Sequence, residues 1–349
     1  MDPATPPRDG APVWRRSGSR AWLRRALPLL LFALSIVATV VLVTQRGEDL
    51  ALLRTLDVPA ILVLVVMQAA YLVVQSGRFH VVLVKLADKG VGFWPWLQLF
   101  VLGRFLNLFV PQAGNVYRGV EAKRLFGVPY TRFVAAFVNA PWVAMVLNFA
   151  IGAVVVSVAQ PAARVGVWPL GLLLGLAAIV TALAPFALAL LLPLVPQRFR
   201  LLAWLHARLS EMLRVTLASL RDGAYLWRVL AWTLAAFVQA VVMLWVCFVA
   251  IGVGVGLAEA VAFYVLLQLT TYVALTPGNL GVQELAFAVL ATGMGAGAVE
   301  GVVVSGLLRV TGVIALLALA LPLGGLQAVR ASRVRPVPNA SRETASGRT

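Results

Sequence analysis

Two sets of polar side chains interrupt stretches that are otherwise almost wholly apolar. The first surrounds Pro111 in "FLNLFVPQAGNVYRG" and the residue before it: Arg104, Asn107, Gln112, Asn115 and Arg118. The second follows Pro277-Gly278 in "TYVALTPGNLGVQEL": Asn279, Gln283 and Glu284, with Arg309 in the next apolar run. Proline and glycine release backbone N–H and C=O groups from the helical ladder. In hydrocarbon each unsatisfied group costs several kcal/mol, so such a break is tolerated only inside protein or against water. An ionisable side chain at that depth is costly enough to mark a functional site. Arginines beside helix ends form a cationic pocket suited to a phosphate headgroup. A headgroup pocket is therefore expected from Arg104, Asn107, Asn115 and Arg118 in one half, and from Asn279, Gln283, Glu284 and Arg309 in the other. The helix breaks are assigned to Pro111, Gly114, Pro277, Gly278 and Gly281. The competing expectation is structural: Arg104 and Arg309 pair with Glu121, Glu284 or Glu300.

The elements that must position these residues are membrane helices. Of 349 residues, 61% are hydrophobic and 12% charged, which leaves too little polar surface for a soluble domain of this size. The single Cys247 excludes a disulfide framework, and the two histidines, His80 and His206, stand far apart and read as interfacial residues, so neither metal nor cofactor is expected. Apolar stretches occupy residues 26–44, then about 58–76, 93–110, 133–157, 168–195, 226–251, 260–276, 284–297 and 300–325. A run of about 20 apolar residues crosses the hydrocarbon. The first is read as an uncleaved span, because no clear signal-peptidase site follows it.

A net charge of +16 would suggest nucleic acid in a soluble protein. Here the basic residues sit in connecting segments, so they report sidedness, and no nucleic-acid partner is expected. The N-terminal tail, segments 78–92, 118–132 and 196–228, and the C-terminal tail are rich in Arg and Lys and are placed in the cytoplasm. The loop after the first span carries Glu48, Asp49 and Asp57 and is placed outside. Two cytoplasmic segments cannot flank a simple crossing, so residues 93–117 are expected to enter and return as a re-entrant hairpin. By the same reasoning the interrupted pair 260–276 and 284–297 dips in from outside, since its connections hold Glu259 and Glu300 and no basic residue.

Pro111 and Pro277 stand 166 positions apart, and the long spans that follow them share nearly that offset. The fold expected is an all-α polytopic membrane protein. It has about six full transmembrane helices and two re-entrant, broken helical elements in an inverted repeat, a common plan for transporters with a midplane site. The first repeat covers about 58–157 and the second about 226–325, within one transmembrane domain, 26–325. An amphipathic linker helix at about 198–222 carries Leu201, Leu205, Leu209, Met212 and Leu213 on one face and Arg200, Glu211, Arg214 and Arg221 on another. It lies in the headgroup plane or packs on the bundle. Residues 1–25 and 326–349 are expected to be disordered basic tails, both cytoplasmic.

Other motifs have plainer readings. "GVGVG" at 252–256 lacks a preceding strand and a phosphate-binding helix, and reads as an extracytoplasmic turn. Gly171 and Gly175 form G-x-x-x-G, a close-packing surface. Pro141 and Asn148 suggest a kink with a polar lining, and Trp94, Trp96, Trp168 and Trp227 read as belt residues at the interfaces.

"LGRFLNLFVPQAGNVYRGVEAKRLFGV", "TPGNLGVQELAFAVL" and "LLRVTGVIALLALALP" resemble the transmembrane region of lysylphosphatidylglycerol synthases and related flippase-like membrane proteins, over about residues 58–325. The resemblance is most specific at Pro277–Glu284 with Arg309, and Pro277, Gly278, Gly281, Glu284 and Arg309 carry over one by one. It departs in the first half, where Asn115 falls at a family glutamate and Asn139 and Val143 at family acidic positions. What it implies is movement of a phospholipid or lipid-linked, phosphate-bearing molecule between leaflets of a bacterial-type cytoplasmic membrane. No soluble stretch of domain size follows residue 325, so this chain is not expected to make aminoacyl lipid, and it is read as no enzyme. Membrane lipids are the expected partners, with a separate lipid- or glycan-modifying enzyme as another. The alternatives are a membrane transferase using Glu48, Asp49, Asp57, Glu259 or Glu300, a small-solute transporter, or a partner of a synthase.

Overall fold

The computed structural model describes residues 57–87, 90–109, 112–194, 200–272 and 282–324. The expected first span, both tails, Pro111, Pro277, Gly278, Asn279 and Gly281 lie outside the described residues. Ten α-helices run through the rest: α1 Val58–Leu86, α2 Phe93–Phe109, α3 Ala113–Phe126, α4 Tyr130–Ala159, α5 Leu170–Leu191, α6 Arg200–Leu220, α7 Gly223–Ala250, α8 Leu257–Tyr272, α9 Val282–Gly293 and α10 Ala298–Ala320. A two-residue-per-strand hairpin, Arg164–Val165 with Trp168–Pro169, turns the chain between α4 and α5.

Five of these helices are long and apolar enough to cross a membrane: α1, α4, α5 with the short 3-10 turn to Leu194, α7 and α10. The shortest, α10, has 23 residues, about 35 Å of helix against a hydrocarbon core of about 30 Å. The chain is thus an all-α, multi-pass membrane protein. Its helix ends follow local chemistry. Pro59 sits in the first turn of α1, where its missing N–H costs nothing. Asp222 Oδ1 accepts the Tyr225 N–H at 3.1 Å and caps α7. Gly127, at φ 69°, closes α3 in the left-handed region.

The expected end of the first described span needs correcting. Segment 78–92 is expected to be a basic cytoplasmic connection, yet α1 continues to Leu86 and Arg78 is buried within it. Its guanidinium lies 5.5 Å from the Phe79 ring centroid, an attraction that favours keeping a cation inside protein. Trp96 is also no belt residue: it is 1% exposed, and its Nε1 donates to the Ser76 carbonyl at 3.0 Å. Trp94, Trp168 and Trp227 are exposed.

α1 and α7 pack in opposite directions. Lys85, at the end of α1, pairs with Asp222 at the start of α7, while Gln239, farther along α7, donates to the Met67 carbonyl near the start of α1. Trp232 lies flat against Gly77, where a Cβ would meet its ring at 2.6 Å. α10 runs parallel to α1: Gln68 donates to the Leu308 carbonyl, and Leu72 and Val73 pack near Leu316 and Ala320. α4 leaves from the side where α1 ends, with Arg132 donating to the Leu86 carbonyl.

α4 and α5 pack along their length. A Cβ at Gly171 would stand 2.1 Å from Ser157 Oγ, so the first glycine of the G-x-x-x-G pair does permit a close approach. Pro185 cannot donate to Thr181, four residues earlier. That carbonyl is satisfied instead by Trp142 Nε1 at 2.8 Å. The amphipathic α6 rests on α4, α5 and α7, and its Thr216 hydroxyl donates to Asn139 Oδ1 at 2.6 Å.

Candidate functional site

The first set of polar residues is built into a helical hairpin. α2 and α3 turn back on one another at Gln112, a non-glycine residue held at φ 65°. The pair approaches so closely that a Cβ on Gly114 would lie 1.7 Å from the Gly103 carbonyl oxygen. The first N–H groups of a helix have no intrahelical partner. Asn107 Oδ1 accepts one of them, from Gly114, at 2.7 Å. Asn115 bonds Gln112 and also accepts from Arg118 Nη2. Asn107 and Asn115 therefore hold the apex of the hairpin and aim Arg118.

Arg118 is 3% exposed. Its guanidinium lies 5.1 Å from the Phe100 ring centroid and 4.8 Å from that of Phe137, and Arg104 lies 5.6 Å from the same Phe100 ring. Phe79 joins this aromatic group, 5.8 Å from Phe100 and 5.0 Å from Phe137, and brings Arg78 with it. Three arginines from α1, α2 and α3 thus share one phenylalanine cluster. Arg104, unlike Arg118, keeps exposed surface.

The second set behaves differently. Glu284, 7% exposed in the first turn of α9, holds Arg309 of α10 in an ion pair, Oε1 to Nη2 2.6 Å. The structural expectation thus holds for Arg309, with Glu284 as its partner. Glu121, another of the three acids considered, pairs with Arg124 on its own helix at 2.7 Å. Gln283 is half-buried beside Glu284.

Sequence reasoning missed a further polar group. Tyr71 and Gln75 on α1 form a hydrogen bond of 2.5 Å, Gln75 Nε2 donating. Tyr264 and Gln268 on α8 form another with the same spacing. The repeated Tyr-x-x-x-Gln, one turn apart inside apolar runs, was the available signal. A hollow of about 500 Å³ between α4 and α5, lined by Ser157, Gln160, Gly171 and Gly175 among others, shares no residue with any of these groups.

Residues 28–320 match the model of the family described as the lysylphosphatidylglycerol synthase TM region. The chain belongs to that family. No curated protein and no solved structure matches it. The family covers both hairpins and the helices after them, so the first-half departures at Asn115, Asn139 and Val143 are features of a true member. Two of them have visible partners here: Asn115 receives Arg118, and Asn139 receives Thr216.

Proposed function

We propose that this family member moves a phospholipid or lipid-linked, phosphate-bearing molecule between the leaflets of the cytoplasmic membrane, as a carrier and not a catalyst. The observation that carries the reading is the pair Arg104 and Arg118 on the Phe100 ring. An arginine at the centre of a membrane helix costs about 3 kcal/mol on insertion scales. Cation–π contact returns about 1–2 kcal/mol of that. A phosphate entering between the two would offset the remainder and could leave again, because neither arginine is locked to a fixed acid. Acyl chains stay in the bilayer throughout.

The helix arrangement supports an alternating mechanism. The starts of α1 and α7, α2 and α8, α3 and α9, and α4 and α10 are 165, 164, 169 and 168 residues apart. Exchanging these partners converts the contacts of α1 with α10, α1 with α2, α2 with α3, α2 with α10 and α3 with α4 into those of α7 with α4, α7 with α8, α8 with α9, α8 with α4 and α9 with α10, all of which occur. Since α1 and α7 are antiparallel, this correspondence supports reading the halves as an inverted repeat, with α2–α3 and α8–α9 as the re-entrant elements. The basic connections are what supports reading both termini as cytoplasmic. The transferase alternative loses a candidate acid, because Glu259 Oε2 accepts the Gly256 N–H at 2.6 Å.

The test is lipid movement in vesicles containing the purified chain, read by chemical quenching of fluorescent anionic phospholipid in the outer leaflet. Wild type should accelerate exchange, and Arg104→Gln with Arg118→Gln should reduce the rate at least tenfold. A double variant as fast as wild type, or a wild type that moves no phosphate-bearing lipid, would sink the reading.

A further inference from the structure

We propose that the linker helix α6 seats an anionic phospholipid, with the phosphate at His206, Ser210 and Arg214 and an acyl chain against α5. The site shares no residue with the arginine hairpin, and the lipid in it is a resident component and not cargo.

Two hollows flank α6. One, of about 370 Å³, lies between α6 and the end of α5, where Ala189, Leu192 and Pro193 form a wall. His206, Ser210, Arg214 and Leu217 form the facing wall, and their spacing of three and four residues puts them on one face of α6. The second hollow, of about 210 Å³, lies between α4, α5 and α6 and is walled mainly by apolar side chains. The polar side chains on it are engaged: Thr216 donates to Asn139, and Trp142 Nε1 to the Thr181 carbonyl. Leu213 lines both, so a single side chain stands between a polar-rimmed hollow and an apolar one.

The surroundings decide the occupant. α5 is long and apolar enough to cross a membrane, and Leu183, Leu190 and Leu194, which share one of its faces, are exposed. In a bilayer that face lies against acyl chains, and the last turn of a spanning helix stands at headgroup depth. A basic rim at that depth meets lipid phosphate. Charge agrees: α6 carries Arg200, Arg208 and Arg214 against Glu211 alone, and residues 195–199, "VPQRF", which lie outside the described residues, add Arg198 and no acid. Arg214 pairs with Glu211, three residues earlier on the same helix, and its side chain is 75% exposed. An exposed ion pair contributes little, so a phosphate, which a guanidinium grips through two parallel hydrogen bonds, can share or take over the arginine. His206 and Ser210 add N–H and O–H donors on the same face. Because α6 rests on both α4 and α7, a lipid wedged beside it would steady the joint between the two halves of the chain.

The test places the full chain in phosphatidylcholine vesicles with a phosphatidylglycerol probe that carries a diazirine on one acyl chain. After photolysis, digestion and mass spectrometry locate the label. In wild type it should concentrate on residues 183–194 and 206–217, and unlabelled phosphatidylglycerol should compete where added phosphatidylcholine does not. His206→Gln with Arg214→Gln should cut that labelling about tenfold, as expected for lost charge-assisted contacts. Ser210→Asp, which puts a carboxylate on the rim and leaves His206 and Arg214 in place, should cut it likewise. Label spread evenly over the exposed helices, equal labelling by a phosphatidylcholine probe, or labelling indifferent to these variants each overturns the inference. Arg104→Gln with Arg118→Gln should leave the α5 and α6 label in place, and its loss there would show that no separate site exists. Wild type that labels as expected and moves no lipid would overturn only the carrier reading.

Discussion

The two hairpin regions of this chain handle a membrane arginine in opposite ways. Around α8–α10, Arg309 is answered by Glu284 within the protein. Around α2–α3, Arg104 and Arg118 are answered by aromatic faces, a main-chain carbonyl and an asparagine. A cation with its own carboxylate is complete, and its removal is a structural injury. A cation supported only by neutral groups is stable enough to exist and still able to accept an anion. The half that keeps the family pattern best is thus the braced half, and the half that departs from it is the one suited to binding. Glu284 and Arg309, the stronger carry-overs by sequence, read as scaffold.

The largest effect that can test this contrast is loss of the internal acid. Glu284→Gln strands the Arg309 charge and should lower stability by on the order of 3 kcal/mol, the cost of breaking a buried pair. Thermal denaturation in detergent reads it, and Arg309→Gln in the same chain should return part of the loss. Next comes the hairpin itself: Gly114→Ala forces a Cβ into the Gly103 carbonyl and should cost about 2 kcal/mol by overpacking. Transport should fall with it, because the apex that aims Arg118 is displaced. Arg118→Gln removes a desolvated charge and strands only neutral acceptors, Gly114 O and Asn115 Oδ1, with no opposite charge left behind, so the change in stability should be under about 1 kcal/mol while lipid movement is lost. If Arg118→Gln were as destabilising as Glu284→Gln, the contrast between the two halves would collapse.

The smallest effect concerns the seam between halves at its exposed end. The Lys85 side chain donates to Asp222 at 2.5 Å and, with the Tyr225 N–H, holds the Asp222 carboxyl below its usual range. A lowered carboxylate stabilises the fold above its unfolded value, about 3.9, and that contribution is lost as pH falls through the lower folded value. Stability should therefore show no dependence on this pair from neutral pH to about 5, then a slight decline below about 4 that Lys85→Gln removes. Salt should weaken it as well.

Much of this was legible beforehand. The apolar runs gave the spans because hydrocarbon thickness fixes their length, and the polar break after Phe109 marked the turn between α2 and α3, while Pro111 and Pro277 themselves lie outside the described residues. The Arg309–Glu284 pair was foreseen as one of two options. Three things were not legible. Arg78 looked like a loop boundary, since a lone charge after an apolar run cannot announce the aromatic cluster that shelters it. Trp96 has the composition of a belt residue, and only its contact with Ser76 shows it to be core. The Thr216–Asn139 bond joins helices that are remote in the chain, and no local pattern encodes such a meeting.

The α1–α7 crossing has a mechanical meaning. Gln239 reaches a main-chain carbonyl, Trp232 fills the hollow left by Gly77, and an ion pair closes one end. Sliding by even one residue would break all three at once, so the seam fixes the register of the two helices. On the carrier reading proposed above, the halves would rock about this seam and could not slide along it.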